Sequence, residues 1–168
     1  QDHTITQITR RTSLKDCQTS VAVWDPSQKQ IEADKLEGHD AIIHLAGANI
    51  SGRWTPSCKK LIESSRVEGT RFLCQSLAKL RQKPRVLISA SAVGFYGSCE
   101  PDKILTESSP SGQGFLPGVC RRWEEETRYA GEAGIRAVNI RLGVVLGKSG
   151  GAMAKMLPIF KLGLGGVL

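Results

Sequence analysis

Residues 40–48 read DAIIHLAGA, a near-continuous apolar run that ends in three small residues. A strand of this kind is typical of a sheet with both faces covered, because neither face is left for polar side chains. The small residues Ala46, Gly47 and Ala48 allow another molecule to approach the backbone where the strand ends. The stretch therefore predicts a buried strand of an α/β sheet with an accessible carboxyl end.

Further strands and helices alternate along the chain. Strands are predicted, from β-branched and apolar patterning, over residues 3–10 (HTITQITR), 20–24 (SVAVW), 85–91 (RVLISAS) and 135–142 (IRAVNIRL). Helices are predicted over 55–81, where Thr55-Pro56 supplies an N-cap and a first-turn proline, over 115–133 and, briefly, over 152–160. The alternation predicts an α/β fold with a doubly wound parallel sheet, of the Rossmann type. The length of 168 residues fits one such domain, 1–168.

The composition is that of an ordinary soluble globular protein, with 40% hydrophobic and 23% charged residues. No apolar run approaches the ~20 residues needed to cross a bilayer, which argues against membrane insertion. The five cysteines are odd in number and contain no C-x-x-C pair, and none of the three histidines has metal-ligand spacing. We therefore expect no disulfide framework, no metal site and an intracellular reducing compartment, cytoplasmic or organellar.

The net charge of +7 raises the question of a nucleic-acid partner. The 23 Lys and Arg residues are spread along the chain, and only 5% of the residues are aromatic. A nucleic-acid binder usually concentrates its charge and interleaves aromatic residues with it. We therefore expect no nucleic acid, but attraction for a small phosphorylated ligand. The oligomeric state is left open, and a homo-oligomer is compatible with the sequence.

The predicted strand ends carry candidate cofactor ligands, because doubly wound sheets bind ligands at the carboxyl ends of their strands. The first strand ends at Thr9-Arg10. An arginine at this position accommodates the 2′-phosphate of NADP, whereas an acid would bind the 2′-hydroxyl of NAD. Arg10 can make a bidentate contact to that phosphate, with the Thr9 hydroxyl assisting; the alternative is a solvated surface turn. Leu45, Ala46 and Gly47 would pass beneath the ribose and phosphates, although small residues end many strands.

An arginine lies inside the apolar stripe of the long helix. The stripe recurs at helical spacing and consists of Ile62, Arg66, Thr70, Leu73, Leu77 and Leu80. A buried guanidinium needs an anionic or carbonyl partner, because an unpaired buried charge is costly. A cofactor phosphate would serve as that partner for Arg66. The alternative is a structural salt bridge with Glu63, Glu68 or another acid.

The fourth predicted strand ends in Ser89-Ala90-Ser91. A hydroxyl at this edge would point at a substrate carbonyl or alcohol, which makes Ser91 a candidate catalytic residue. The alternative is a serine that satisfies a local turn.

Five motifs together resemble the short-chain dehydrogenase/reductase superfamily, and more narrowly its atypical extended subgroup of NAD(P)-dependent or sugar-nucleotide epimerases. They are HLAG (44–47), SASAVGFYG (89–97), WEEE (123–126), RLGVVLG (141–147) and GGAMAKMLPIFKLGLGG (150–166). The resemblance covers nearly the whole chain. It implies a Rossmann fold, NADP as cofactor, a small-molecule substrate and an oxidoreductase or epimerase activity. It also implies that the cofactor site is lined by Thr9, Arg10, Leu45, Ala46, Arg66 and Val145, with Val145 near the nicotinamide.

The sequence departs from this family at its amino-terminal end. Family members open with a strand, a G-x-x-G-x-x-G turn and a helix whose N-terminus holds the pyrophosphate. The present sequence starts where their second strand would be. We therefore expect a domain truncated at both ends, with a gap in the sheet between two strands that have unpaired backbone groups.

A second departure concerns catalysis. The superfamily uses a Tyr-x-x-x-Lys pair, in which the lysine lowers the pKa of a proton-transferring tyrosine. The usual offset from Ser91 places Leu116 and Cys120 at these positions, and neither side chain can do that work. Tyr96 is the nearest surviving phenol and the candidate acid or base. The alternatives are a structural Tyr96 and a non-catalytic NADP-binding protein that acts as a sensor or scaffold.

Overall fold

The computed structural model describes residues 3–10, 20–100, 102–147 and 150–164. Its strands are β1 (Thr6–Thr9), β2 (Ser20–Asp25), β3 (Gln30–Ile31), β4 (Ala41–His44), β5 (Val86–Ala92), β6 (Arg136–Leu142) and β7 (Leu146–Gly147). Its helices are α1 (Pro56–Ala78), α2 (Phe115–Glu125), α3 (Arg128–Glu132) and α4 (Gly151–Lys161), with 3₁₀ turns at Ala33–Leu36 and Val93–Tyr96. No helix of this described part is long and apolar enough to span a membrane.

The strands β1 to β6 form two three-stranded sheets. In the first, β2 pairs in parallel with β1 and antiparallel with β3. In the second, β4, β5 and β6 are all parallel, and Ile43, Ile88 and Val138 lie side by side in register. The predicted α/β fold with a parallel, Rossmann-like sheet is confirmed. The antiparallel strand β3 was not predicted, because two residues are too few to show a period.

The long helix begins where the sequence predicts it. The Thr55 hydroxyl accepts a hydrogen bond from the Cys58 backbone N–H at 3.2 Å, and Pro56 occupies the first turn. This is the N-cap arrangement that satisfies one of the free amides at a helix start. The helix ends at Ala78, three residues before the predicted end at Arg81.

The helix predicted over 115–133 is two helices, α2 and α3. They are separated at Glu126 and Thr127, two residues that are buried. The Thr127 hydroxyl donates to the Glu124 carbonyl at 2.7 Å, a local bond of the kind that competes with continued helix. The Glu126 carboxylate receives two hydrogen bonds from Arg71 of α1, at 2.6 and 2.8 Å. The interruption thus coincides with an ion pair between neighbouring helices.

A slot separates the two sheets. It lies between β1 and β4, which are not paired with each other, and encloses a cavity of about 1130 Å³ lined by both strands. The His39 Nε2 and Thr6 Oγ1 atoms lie 2.9 Å apart at the amino-terminal ends of the two strands. The gap in the sheet that the sequence predicts is therefore present in the structure.

One apolar core joins the two sheets despite the slot. It contains Ala22, Trp24, Leu36, Ile42, Leu73, Cys74, Leu77, Leu80, Leu87, Ala130 and Ile135. Members come from both sheets, and Leu73, Cys74 and Leu77 come from α1, so this helix packs against both. The Trp24 and His44 rings meet edge to face across the boundary, with centroids 5.6 Å apart.

The helices α1, α2 and α3 pack on one face of the second sheet. Side chains of that face bond to them: His44 to Thr70 of α1, and Ser91 to Glu124 of α2. The opposite face carries Ile43, which is 63% exposed, and Ile140, which is 41% exposed. In the described part of the chain, therefore, the second sheet is covered mainly from one side.

Candidate functional site

The carboxyl ends of the strands meet at one edge of the molecule. The strands β4, β5 and β6 are parallel and in register, so Leu45, Ser91 and Arg141 lie at the same edge. Because β1 starts beside the start of β4, Thr9 and Arg10 lie at this edge too. The fold thus places predicted site residues from distant parts of the sequence together at the edge where α/β sheets bind ligands.

Arg66 of α1 lies beneath the loop that follows β4. Its Nη1 donates to the Ala48 carbonyl at 3.1 Å and to the Ile62 carbonyl at 3.2 Å. Its guanidinium carbon lies 5.2 Å from the centre of the Trp123 ring. Burial lowers the pKa of this guanidinium. The group therefore has carbonyl and aromatic partners but, among the described residues, no carboxylate partner.

The predicted alternative for Arg66 was a salt bridge. One candidate partner, Glu63, instead pairs with Arg122 at 3.0 Å. The other, Glu68, forms no ion pair with Arg66 in the described part of the chain. The hydrogen bonds found for the guanidinium come from Nη1, so its remaining N–H groups are candidates for an anion.

The backbone at Gly47 lies close to the Arg66 guanidinium. A Cβ atom at Gly47 would lie 3.0 Å from the Cζ atom of Arg66 and 3.2 Å from Nη2. The adjacent Ala48 N–H donates to the Ser65 hydroxyl at 3.0 Å. The loop after β4 is thus held against α1, with its backbone in contact with a guanidinium.

Two large apolar side chains are exposed at this edge. Leu45 is 67% exposed and Val145 is 71% exposed. Thr9 is half-buried at the end of β1, whereas Arg10 and Ala46 are exposed. Exposed apolar groups beside cations suit a ligand that carries both flat rings and phosphates, so these residues fit a dinucleotide.

A polar network occupies the ends of β5 and β6. We call Ser91, Tyr96, Glu124 and Arg141 the Arg141 network. The guanidinium of Arg141 binds both oxygens of Glu124, each at 2.9 Å, and the Ser91 hydroxyl donates to Glu124 Oε1 at 2.6 Å. Arg141 also lies over the Phe95 ring, 3.5 Å from its centre. This bidentate geometry makes the pair strong and directional.

The electrostatics of the pair favour the charged forms. Burial alone would raise the pKa of Glu124, but hydrogen bonds from Arg141 and Ser91 outweigh it and lower that pKa. The hydrogen bond to Glu124 raises the pKa of Arg141. Ser91 is 3% exposed, so its hydroxyl donates to a carboxylate in a mostly dry environment.

Tyr96 belongs to the same network. Its hydroxyl donates to the Thr106 carbonyl at 2.9 Å and accepts from Arg141 Nη1, also at 2.9 Å. A Cβ at Gly112 would overlap the Tyr96 carbonyl oxygen, so only glycine permits this close approach. The structure thus gives Tyr96 two hydrogen-bond partners, and its predicted role as acid or base stays a prediction.

The two residues at the expected Tyr and Lys positions lie on α2. Leu116 is half-buried and lies near Gly94, where a Cβ would be 3.8 Å from its side chain. Cys120 is 3% exposed, and burial raises the pKa of its thiol. The position expected to carry a lysine therefore carries a buried neutral group.

Three buried side chains, one each from β4, α1 and α2, are joined by hydrogen bonds. The Trp123 Nε1–H donates to the Thr70 hydroxyl at 2.8 Å, and His44 Nε2 lies 2.9 Å from the same oxygen. Because the Thr70 oxygen accepts from Trp123, its proton is available for His44 Nε2. Burial lowers the pKa of His44 to about 4, so the imidazole is neutral near pH 7.

Sequence reasoning missed Glu124 and Arg141 as a pair. The signal was an arginine between Ile140 and Leu142 in a strand-like apolar segment. A charge in that position implies a partner, by the same reasoning that singled out Arg66. The partner itself was not predictable, because three consecutive glutamates (124–126) offered equal candidates.

Comparisons with known proteins agree with this architecture. The NAD dependent epimerase/dehydratase family model matches residues 1–162. The chloroplastic epimerase family protein SDR39U1 homolog of Arabidopsis thaliana is 43% identical over 135 residues, which cover 79% of this chain and 38% of that protein.

Two solved structures are also similar. The human epimerase family protein SDR39U1 (isoform 2), crystallised with NADPH, matches with a TM-score of 0.79 and 31% identity, over 98% of this chain and 53% of that one. The nucleoside-diphosphate sugar epimerase of Corynebacterium glutamicum matches with a TM-score of 0.69 and 39% identity, over 85% of this chain and 32% of that one. The present chain thus spans about one third to one half of the length of these relatives.

We predict that Glu124→Gln lowers the free energy of unfolding by about 2 kcal/mol, because Arg141 then lacks its charged partner in a mostly buried site. Urea denaturation at pH 7 measures the change. Glu125→Gln, which alters an exposed carboxylate on the same helix, is the matched control and should change stability by less than about 0.5 kcal/mol. Equal effects of the two substitutions would show that the pair contributes nothing.

We predict that His44 makes stability fall as the pH drops from 6.5 to 4. The unfolded chain takes up a proton near pH 6.5 but the folded chain only near pH 4, so the unfolded state binds more protons in this window. Across this window the free energy of unfolding falls by about 3 kcal/mol.

Urea denaturation at pH 7, 6, 5 and 4.5 measures this dependence. In His44→Gln the decline of the free energy of unfolding between pH 6.5 and 5 should become shallower. In the control His39→Gln, which keeps the buried imidazole of His44, the decline should persist. An unchanged slope in His44→Gln would contradict the assignment.

Proposed function

Because the chain belongs to the NAD dependent epimerase/dehydratase family, we propose that it supplies the NADP-binding part of an oxidoreductase or epimerase. The proposed substrate is a small molecule of the sugar-nucleotide type. The observation that carries the proposal is the pair of arginines, Arg10 and Arg66, at the carboxyl edge of the strands. Arg66 has no carboxylate partner among the described residues, and Arg10 is exposed at the end of β1.

Each arginine has a separate task in this proposal. Arg10, with the Thr9 hydroxyl, binds the 2′-phosphate that distinguishes NADP from NAD. Arg66 binds a phosphate shared by both dinucleotides, through the N–H groups that the Ala48 and Ile62 carbonyls leave free. The backbone of Leu45, Ala46 and Gly47 passes beneath the ribose, and Val145 contacts the nicotinamide end.

The relatives support the choice of cofactor and substrate class. The human SDR39U1 structure was obtained with NADPH. The Corynebacterium glutamicum relative is described as a nucleoside-diphosphate sugar epimerase. Both are more than 30% identical to this chain.

The chemistry of the bound cofactor would be hydride transfer, for which the protein supplies binding and orientation. Ser91 lies at the end of β5, and its hydroxyl donates a hydrogen bond to Glu124. Its oxygen therefore has only lone pairs to offer, and it accepts a hydrogen bond from a substrate hydroxyl rather than donating one to a carbonyl. Arg141 keeps Glu124 charged, so Ser91 stays in this orientation. Tyr96 is the proposed acid or base, and it must leave the Thr106 carbonyl to act.

A second candidate function is NADP binding without turnover, as a sensor or scaffold. The observation that favours it is which side chains occupy the expected catalytic positions and how they are hydrogen-bonded. Leu116 and Cys120 replace the expected Tyr and Lys, and the hydroxyls of Ser91 and Tyr96 are both donated to protein acceptors. The cofactor site would be the same in both candidates.

We predict that Arg10→Ala weakens NADPH binding by about 1.5–3 kcal/mol and leaves NADH binding unchanged, because only NADPH carries the 2′-phosphate. Arg66→Met should weaken both dinucleotides by similar factors. Titrations followed by nicotinamide fluorescence, with thermal denaturation to confirm folding, measure these effects.

The matched control is Arg136→Ala, which removes an exposed arginine at the amino end of β6, the opposite edge of the sheet. An unchanged ratio of NADPH to NADH affinity in Arg10→Ala would count against the role of that arginine. Loss of both ligands in Arg10→Ala, with normal folding, would instead place Arg10 at a shared phosphate.

We predict turnover of at least one member of a panel of sugar nucleotides and carbonyl compounds in the presence of NADP or NADPH. Chromatography detects epimerised products, and absorbance at the nicotinamide band detects oxidation of NADPH. Ser91→Ala should slow the reaction by about a hundredfold or more if its oxygen orients the reacting hydroxyl. Binding of NADPH without turnover across the whole panel would favour the second candidate.

A further inference from the structure

An exposed tryptophan lies at the carboxyl edge of the second sheet. Trp54 belongs to the loop that connects β4 to α1, and 37% of its surface is exposed. The other two tryptophans, Trp24 and Trp123, are 6% and 5% exposed. An indole gains free energy when it is covered, so an exposed indole at an edge that binds ligands is a candidate ligand contact.

Two contacts hold the Trp54 ring in place. Its Nε1–H donates to the Ile50 carbonyl at 2.9 Å, and its ring meets the Phe115 ring with centroids 5.7 Å apart and planes at 64°. Phe115 is the first residue of α2, so the indole is fixed between this helix and the loop after β4. A ring that is already fixed loses little conformational entropy when a ligand stacks on it.

Cations surround the two rings. Lys59 Nζ lies 5.4 Å from the centre of the Phe115 ring, and Arg53 is the sequence neighbour of Trp54. Arg53, Lys59 and Lys60 are all exposed. Among the residues that the structure describes, these three cations form no ion pair with a carboxylate.

No nearby stretch of sequence supplies acids to balance these cations. Neither residues 41–62 nor residues 108–123 contain an Asp or a Glu, and these two segments meet at the contact between the rings. Glu63, the first acid after the earlier segment, pairs with Arg122 at 3.0 Å. The surface around the rings is therefore cationic, and it attracts an anionic ligand.

This combination of groups selects a ligand with two chemical features. An aromatic ring can stack on the exposed indole face, and phosphate oxygens can bind the guanidinium and ammonium groups beside it. A nucleoside diphosphate has both features. A free sugar has neither, and inorganic pyrophosphate has only the charge.

The two rings lie beside the proposed reaction site. Leu116, the neighbour of Phe115, lies near Gly94, where a Cβ would be 3.8 Å from its side chain. Gly94 belongs to the turn that follows β5 and lies three residues after Ser91. In a sugar nucleotide the diphosphate separates the base from the sugar. The base and the reacting carbon therefore need neighbouring but separate places at one edge.

We propose that Trp54, Arg53 and Lys59 form the subsite for the nucleotide part of the substrate. The base stacks on the exposed face of Trp54, and the diphosphate binds the two cations. The identity of the substrate in this inference rests on the proposed function. Trp54 is then a specificity-determining residue, which selects nucleotide-linked sugars over free sugars.

The experiment titrates uridine diphosphate (UDP), uridine and pyrophosphate separately into the full 168-residue chain by isothermal calorimetry. The chain is saturated with NADPH, so that UDP cannot occupy the phosphate positions of the cofactor. We expect saturable binding of UDP, at least about tenfold tighter than that of uridine or pyrophosphate, because only UDP engages both the ring and the cations.

Variants of the protein localise the binding. Trp54→Leu should weaken UDP binding by about tenfold or more, whereas Trp54→Phe, which keeps a flat ring, should stay within about threefold of the unmodified chain. Lys59→Ala should weaken UDP binding by about threefold or more and leave uridine binding unchanged. Lys79→Ala, at an exposed lysine beyond the other end of α1, is the matched control and should bind UDP normally. Circular dichroism confirms that each variant is folded.

The titrations separate failure of the subsite from failure of the proposed function. They measure binding only, so an absence of turnover contradicts the proposed activity and not the subsite. If NADPH does not bind, the same titrations are made in the double variant Arg10→Ala, Arg66→Met, in which UDP binding should persist. Absence of UDP binding to a chain that binds NADPH overturns the subsite alone.

Four further results would also overturn the proposal. They are displacement of NADPH by UDP, equal affinity for UDP and pyrophosphate, unchanged UDP binding in Trp54→Leu, and binding of single-stranded oligouridylate at least about tenfold tighter than that of UDP. The last result would assign the cationic surface to a nucleic acid.

Discussion

Packing of apolar side chains against α1 is the constraint on which the rest of the structure depends. The strands β1 and β4 are not paired, so no continuous ladder connects the two sheets in the described residues. Leu73 and Leu77 instead contact a core to which both sheets contribute. Because hydrophobic burial has no direction, it holds the sheets close without joining their edges. The hydrogen bonds that link His44, Thr70 and Trp123 fix how β4, α1 and α2 are oriented, because each donor must face its acceptor.

This arrangement also positions the charges of the site. The helix that packs on both sheets carries Arg66, whose guanidinium contacts the loop after β4 at Gly47. The helix α2 carries Glu124, which fixes Arg141 and Ser91 at the next two strand ends. Among the residues that the structure describes, folding thus pairs Arg141 with a carboxylate and leaves Arg66 without one. That difference separates a cation used for structure from a cation available to a ligand.

The sequence predicted most of the fold because its strands are apolar and its long helix has a cap and a first-turn proline. The gap in the sheet was predictable as well, from the family pattern alone. What could not be predicted depends on partners that are distant in sequence. The sequence indicates that Arg141 needs an acidic partner, but it does not indicate which of three consecutive glutamates pairs with it. In the structure the partner is Glu124. The division between α2 and α3 depends on Thr127 and on the contact of Glu126 with Arg71, which no local pattern indicates. The two-residue strands β3 and β7 are too short to have a period.

The uneven covering of the second sheet has a thermodynamic consequence. Ile43 and Ile140 stay largely hydrated on the face opposite the helices, so unfolding exposes less new apolar surface there than in a sheet covered on both sides. Newly hydrated apolar surface is the source of the positive heat-capacity change of unfolding. This face of the sheet therefore contributes little to that heat-capacity change, and most of the contribution of the second sheet comes from the face that the helices cover.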